Sequence, residues 1–459
     1  MNRDHSNVRF ISHHLATGSL SLEKERVLTS YAIDAYIYGF PLVLMEITKS
    51  TGYFRLMQRN RFYHQREFST PSVTQVVRPN VDTLYSIAWL DLNEGPLLLH
   101  VPNTHSRYYL LPMLDAWSNV FASVGARTTG TNEQLYVIVG PFWKGTLPAH
   151  IPVIPAPTRI LWIAGRTQSD GVKDYPQVHS IQNQFKLTPL FHSTSPSRQG
   201  NFLDGLRFTE EPPSKIIGSL DAASFFTLMM AGMEKNPPYP AIQTPDMTCK
   251  LRALGLIPSP CFQFHTLDSS TQHALQYAAE NGPYVIEKLG NELLHKNDYN
   301  GWSILLQDMG FYGTNYQQRA VVAQKLFGAN LPQDSVYAYS FVAQNGSVLN
   351  GRNSYRVHFQ PGQLPLTNAF WSITLYNEDG FLVDNSLHRY AISPHLGKLN
   401  DNEDGSLDIY IGSTSPGSSL ESNWLPAPEA PFNLMLRIYW PKLPVLEGNW
   451  HPPAVVQVN

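Results

Sequence analysis

The chain has 459 residues, of which 42% are hydrophobic, 12% aromatic and only 15% charged, with 35 prolines and 30 glycines. That length exceeds one ordinary core and predicts two or three domains, and many rings and turn formers with few charges favour β structure. A net charge of −3, from 33 basic and 36 acidic residues without a basic block, excludes nucleic acid as an expected partner.

Residues 1–20 are polar and read as a loose start without the apolar run of a secretory signal, so the cytoplasm is the default expectation. A helix is predicted from Ser21 onward, with Val27, Leu28, Tyr31, Ala32 and Ala35 at helical spacing. Gly39 and Pro41 are expected to break or kink it, and Tyr36, Tyr38 and Phe40 to pack under the following sheets. The most apolar segment, residues 31–48, contains Asp34, Pro41 and Glu46, which argues against a membrane span and for a soluble protein.

Short strands are predicted at 73–78, 83–91, 96–101, 107–114, 119–124, 134–139 and 151–164, separated by Gly and Pro joints. Strands at this spacing favour a sandwich over βαβ units. Residues 168–215 are irregular and read as a linker. Helical texture at 222–235, 245–256, 268–292 and 314–327 predicts a small all-α domain, with Thr248 and Asp268 as caps and Gly255, Gly290 and Gly328 as ends. Strands return at 336–343, 354–360, 368–376, 380–384, 407–412 and 432–440. The two Asn-Glu-Asp-Gly copies, at Asn377 and Asn402, read as hairpin turns rather than an internal duplication. The expected domains are 21–215, 216–330 and 331–459.

The stretch from Arg78 to Leu92 organises the chain. Arg78, Asn80, Asp82 and Thr83 form a dense polar knot that runs into an alternating strand. Leu84, Ser86, Ala88 and Leu90 fall on one face, and Tyr85, Ile87, Trp89 and Asp91 on the other. Unpaired burial of such polar groups costs about 1–3 kcal/mol each, so they pair with one another or with a ligand.

Residues 35–42, Arg78-Pro79-Asn80-Val81-Asp82-Thr83-Leu84-Tyr85-Ser86, Trp89-Leu90-Asp91-Leu92, Arg107-Tyr108-Tyr109, Thr128-Thr129-Gly130 and Gly140-Pro141 resemble the Domain of Unknown Function 1254 family. Residues 370–376, Asn385, Arg389-Tyr390, Asp404-Gly405-Ser406-Leu407, Asn423-Trp424-Leu425-Pro426, Arg437-Ile438-Tyr439 and Trp450-His451-Pro452-Pro453 resemble the Domain of Unknown Function 1214 family. The resemblance implies an immunoglobulin-like sandwich, a small helical domain and a C-terminal jelly-roll-like sandwich, hence a mainly β protein. It implies no activity, and it implies that many relatives are exported.

Arg78 is suited to gripping a carboxylate or phosphate, with Asn80, Asp82 and Thr83 orienting it; alternatively Asp82 pairs with Arg78 or Arg107 and caps a turn. Arg107 and Thr128 are further ligand candidates, or satisfy loop carbonyls. Trp371, Asn385, Arg389, Tyr390, Asn423 and Arg437 offer rings beside amides and guanidiniums, the mix that sugar or planar-ligand recognition needs, though Trp371 also suits a β core.

Metal and nucleophile signals are weak. His388 and His395 have no carboxylate pair in ligand spacing, and in the Asn402/Asp404/Ser406 loop Ile411 stands where calcium requires a bidentate Glu. Cys249 and Cys261 read as buried free thiols, with one loop-closing bridge the alternative. The leading function is binding of a small polar, carbohydrate-like or anionic ligand between the two β domains. The alternatives are a cofactor-independent hydrolase or lyase using Asp82 with Tyr85, and a structural or surface interaction protein. Expected partners are a small molecule and, as an open question, a second copy of the chain; neither a cofactor nor a membrane is expected.

Overall fold

The structure, a computed structural model, describes residues 6–73, 77–191 and 211–458. Helix α1 (Ser6–Ser50) begins well before Ser21 and passes through Gly39 and Pro41 without ending. Pro41 removes one hydrogen bond, but residues 35–45 are buried along their whole length, and burial on every side outweighs that loss.

Among the described residues nine strands build the N-terminal sandwich: β1 (Tyr63–His64), β2 (Thr83–Asp91), β3 (Leu97–Val101), β4 (Tyr109–Asp115), β5 (Val120–Gly125), β6 (Gln134–Val139), β7 (Val153–Pro155), β8 (Ile160–Gln168) and β9 (Lys186–Pro189). One sheet runs β1-β2-β8-β4-β5 and the other β7-β6-β3-β9. Leu84, Ala88 and Leu90 enter the core between them with Leu97, Leu99, Leu111 and Ile163. The predicted 151–164 strand divides at Pro157: Ala156 N–H still donates to the Val139 carbonyl of β6 at 2.8 Å, and Pro157 has no N–H with which to continue. The expected linker instead carries α2 (Tyr175–Gln182) and β9, which pairs with β3 at a sheet edge. Lys-Leu-Thr-Pro has too little alternation to announce a strand. Residues 74–76 of the predicted 73–78 strand lie outside the described residues; Arg78, at φ 53°, is left-handed and joins no ladder.

The helices α3 (Pro213–Gly218), α4 (Ala222–Lys235), α5 (Pro245–Ala253), α6 (Ser269–Lys296) and α7 (Tyr316–Lys325) form the all-α region, and all of them pack on α1. Tyr36 stacks on Phe225 at 4.1 Å, and Tyr38 meets Trp117 at 4.9 Å and Tyr316 at 5.0 Å. These rings therefore sit mainly among helices, with Trp89 and Trp162 of the adjoining sheet closing the cluster. Thr244 caps α5 in place of Thr248, Asp268 caps α6, and Gly290 lies inside α6. Residues 23–50 of α1 are long and apolar enough to cross a membrane, and most of that stretch is buried against the protein. Cys249 and Cys261 are free but exposed, not buried, because Cys249 lies on the solvent side of α5 and Cys261 in the loop after it.

The C-terminal sandwich holds β10 (Asp298–Tyr299), β11 (Trp302–Ile304), β12 (Ser335–Ser340), β13 (Ser354–Phe359), β14 (Thr367–Asn377), β15 (Ala391–Ile392), β16 (Leu407–Gly412), β17 (Trp424–Pro426), β18 (Phe432–Pro441) and β19 (Val455–Val458), with the one-turn α8 (Leu443–Leu446). Its sheets run β10-β11-β12-β18-β14-β15 and β17-β16-β13-β19. β10 and β11 thus extend this sheet from within the segment read as helical. Residues 380–384 join no ladder.

Candidate functional site

Alternation places two outer faces against each other. On β14, Trp371, Ile373 and Leu375 enter the C-terminal core, which turns Phe370, Ser372, Thr374 and Tyr376 outward. Arg437 and Tyr439 on β18, and Tyr337 and Tyr339 on β12, share that outward face through the registers Ser372↔Arg437, Phe370↔Tyr439 and Tyr337↔Arg437. The opposing face belongs to the N-terminal sandwich. Tyr85 and Arg166 pair across β2 and β8, and Tyr108 and Leu110 pack on Phe370 and Tyr439. A polar seam results, sealed by rings.

The segment before β2 is pinned into this seam. Asn80 Oδ1 accepts from the N–H groups of Asp82 (2.6 Å) and Thr83 (3.0 Å), while its Nδ2 donates to the Tyr439 hydroxyl. Asp82, fully buried, accepts from Ser372 Oγ at 2.7 Å through Oδ2. Arg437 donates to Thr374 Oγ1 (2.7 Å), to the Tyr376 hydroxyl (2.6 Å) and to the Arg78 carbonyl (3.1 Å). Arg78 N–H donates to the Gly380 carbonyl at 2.7 Å, and its guanidinium lies 5.5 Å from the Tyr339 ring centre and 5.9 Å from that of Phe341. Arg166 donates to Asn330 Oδ1 at 2.8 Å and lies 5.2 Å from the Tyr85 ring.

Among the described residues, none of Arg78, Arg166 and Arg437 forms an ion pair, and neither does Asp82. Asp82 Oδ1, Thr83 Oγ1, Arg78 Nε, Arg166 Nε and His395 Nε2 are buried without a hydrogen-bond partner. Each such atom costs about 1–3 kcal/mol. Burial, followed by the Asp82 charge, pushes the Tyr439 phenol well above the usual tyrosine range, so it stays protonated. Burial also holds the His395 imidazole below its ordinary value, against the pull of Asp82, Asp170 and Asp174.

The seam therefore gathers Arg78, Asn80, Asp82, Thr83, Tyr85 and Arg437 of the residues singled out from sequence. The others lie elsewhere. Arg107 forms a two-pronged ion pair with Asp174 (2.6 and 2.7 Å), not with Asp82. Thr128 Oγ1 donates to the Ser123 carbonyl. Trp371 is core, on the opposite face of β14. Asn385 bonds its own turn, Arg389 donates to the Trp424 carbonyl at 2.8 Å, and Asn423 ties Asn400 to Asp408. Tyr390 alone of these borders the seam, partly buried against the cluster that holds Val81, Tyr339 and Tyr376.

Ser372, Arg166, Tyr337 and His395 went unrecognised as partners of the knot. A signal for Ser372 exists: polar Ser372 and Thr374 alternate with Trp371, Ile373 and Leu375 in one strand. A cleft of about 460 Å³ opens at the same end of β2 and β8, lined by Arg107, Gln168, Asp170 and Gln177; Gln168 is also the ladder partner of Thr83. Among the described residues no three His, Cys, Asp or Glu side chains gather as a metal site. Asn402, Asp404 and Ser406 hydrogen-bond one another across a hairpin turn.

Two sandwiches joined at a buried polar seam, with a helical cluster built on α1 beside them, define the class of protein. The chain carries a DUF1254 region at residues 59–189 and a DUF1214 region at residues 334–443, each family described as a protein of unknown function. The seam lies between those two regions. The fold is similar to that of the VPA0106 protein from Vibrio parahaemolyticus, at 20% identity and a TM-score of 0.70, over 94% of this chain and 100% of that one. An uncharacterized protein from Burkholderia cenocepacia matches at 12% identity with a TM-score of 0.46, over 97% and 98% of the two chains. No curated protein matches.

Proposed function

We propose that the seam holds a small anionic, hydroxylated ligand of the sugar-acid or hydroxycarboxylate class. The reading is carried by three seam guanidiniums that form no ion pair among the described residues, of which only Arg437 feels the Asp82 charge, beside an Asp82 oxygen that lacks a donor. A carboxylate on the ligand answers the first deficit, since Arg offers a planar fork matched to it. A ligand hydroxyl answers the second by donating to Asp82 Oδ1. A neutral sugar would leave Arg78 and Arg166 uncompensated, and a simple anion would leave Asp82 without a donor. The test is a thermal-shift and calorimetric screen of hydroxycarboxylates, inorganic phosphate and neutral sugars. A hydroxycarboxylate should raise the melting temperature of the wild type and not of Arg78→Asn, which tolerates the left-handed backbone. Wild type that responds to no member of the screen overturns the reading.

A second reading, a cofactor-independent hydrolase or lyase, is favoured by one feature. Asp82 Oδ1 and His395 Nε2 are both unpartnered, and burial keeps His395 in its neutral, proton-accepting form. Turnover of any seam ligand should then fall by about 100-fold or more in Asp82→Asn. Undiminished turnover in that variant removes catalysis from this site.

A further inference from the structure

The segment Trp450-His451-Pro452-Pro453 takes no part in the seam. It is stapled to the β10–β11 hairpin: Asn300 Nδ2 donates to the Pro452 carbonyl at 3.0 Å and Trp302 Nε1 to the Pro453 carbonyl at 2.8 Å. Between this segment, α8 and the core-facing side of the six-stranded sheet lies a cavity of about 200 Å³. Val336, Ala338 and Ile438 from the sheet line it, with Trp450 opposite. The rim carries Tyr299 and His451, whose rings stack in parallel at 3.9 Å and 10°.

We infer that this cavity is a second binding site, for a small aromatic molecule bearing one hydroxyl group. Three observations on the cavity fit that occupant. Its volume exceeds the roughly 150 Å³ of an apolar cavity that admits benzene, so a single substituted ring fits and a lipid chain or a sugar chain does not. Its lining is aliphatic and aromatic where the sheet meets Trp450, which suits a ring, while the polar lining residues Gln307 and Glu447 are solvent-exposed and Asn297 partly so. His451 Nδ1 is buried without a partner, whereas the Trp450 indole N–H is already committed to the Gln363 carbonyl at 3.1 Å. Among the lining residues, His451 Nδ1 is the buried side-chain polar atom left without a partner. A hydroxyl both donates and accepts, so it satisfies that nitrogen in either tautomer of the ring.

The experiment titrates phenol and toluene, which carry a hydroxyl and a methyl group of similar size on the same ring, into the full chain and follows saturation-transfer NMR. The wild type should bind both saturably, phenol about three- to tenfold more tightly, as one hydrogen bond dictates. Ala338→Leu fills the cavity and should abolish both. His451→Phe keeps a ring to stack on Tyr299, removes the nitrogen, and should bring the two affinities together. Absence of saturable binding to the wild type, equal wild-type affinities, or phenol binding undiminished in Ala338→Leu with the discrimination intact in His451→Phe each overturns the assignment. Because the ligand proposed for the seam is anionic and hydroxylated, failure here leaves that reading untouched, and Arg78→Asn should not alter phenol binding.

Discussion

Ser372 donates to Asp82 at 2.7 Å, and that bond crosses from β14 of one sandwich to the turn leading into β2 of the other. Both groups are completely buried. Ser372→Ala strips Asp82 of the one donor its side chain has among the described residues and leaves the carboxylate unsatisfied. Stability should fall by about 1–3 kcal/mol, measured by urea denaturation. A loss below the error of the measurement would mean that water or a ligand already serves Asp82. Where the loss is seen, seam ligand present during the denaturation should recover part of it.

Asp91 supplies the pH dependence. Burial works to raise its carboxyl, but the hydrogen bond and charge of Arg159, the Asn93 N–H and the Arg59 charge outweigh it and bring the pKa down from 3.8 to about 2. Arg159 Nε lies 2.7 Å from Oδ1 and Arg59 Nη1 2.8 Å from Oδ2. A lowered carboxyl pKa means the unfolded chain binds the proton more tightly. The associated stability, roughly 2 kcal/mol, is complete above about pH 4 and is lost as pH falls from there towards about 2. Asp91→Asn should lose that amount at neutral pH and flatten the acid limb of the stability curve over the same window. An unchanged limb would assign acid unfolding to other carboxylates.

Gly380 tests the strain around Arg78. At φ 84° it sits in the left-handed region, and an added Cβ would meet Val77 Cγ1 at 2.7 Å and the Arg78 side chain at 3.4 Å. Gly380→Ala should cost about 1–3 kcal/mol and weaken ligand binding in the seam by displacing the Arg78 guanidinium. Calorimetric unfolding and the hydroxycarboxylate titration read the two effects. A stable variant with full affinity would show that Arg78 is not held by this turn.

Gly282 lets α6 approach α1 closely, since an added Cβ would lie 2.2 Å from Tyr36 Cδ1. Gly282→Ala should therefore overpack the helical cluster and destabilise the protein by about 1–3 kcal/mol, against the gain that alanine normally brings to a helix. Thermal unfolding decides the sign. A stabilised variant would mean that α1 is not seated against α6.

The strand alternation of residues 83–91, the helix at 222–235, most of the helix expected at 268–292 and the Asp268 cap were legible in the chain, because period and capping are local properties, while that helix runs on to Lys296. Nothing local announces that β9 completes a sheet edge, or that α1 survives Pro41, because partners distant in sequence supply those stabilising contacts. The site divides the same way. The composition of residues 78–83 by itself determined that a polar knot must find partners or a ligand, since desolvation leaves no other outcome. Only the tertiary structure decided which of its members stay unsatisfied. It gave Arg107 to Asp174, returned Arg389 and Asn423 to backbone carbonyls of β17 and β16, and set Arg78, Asp82 and Arg437 together across a seam that joins positions 359 residues apart. Hydrogen-bond saturation depends on what the fold brings within about 3 Å, and that distance is written in no single stretch of sequence.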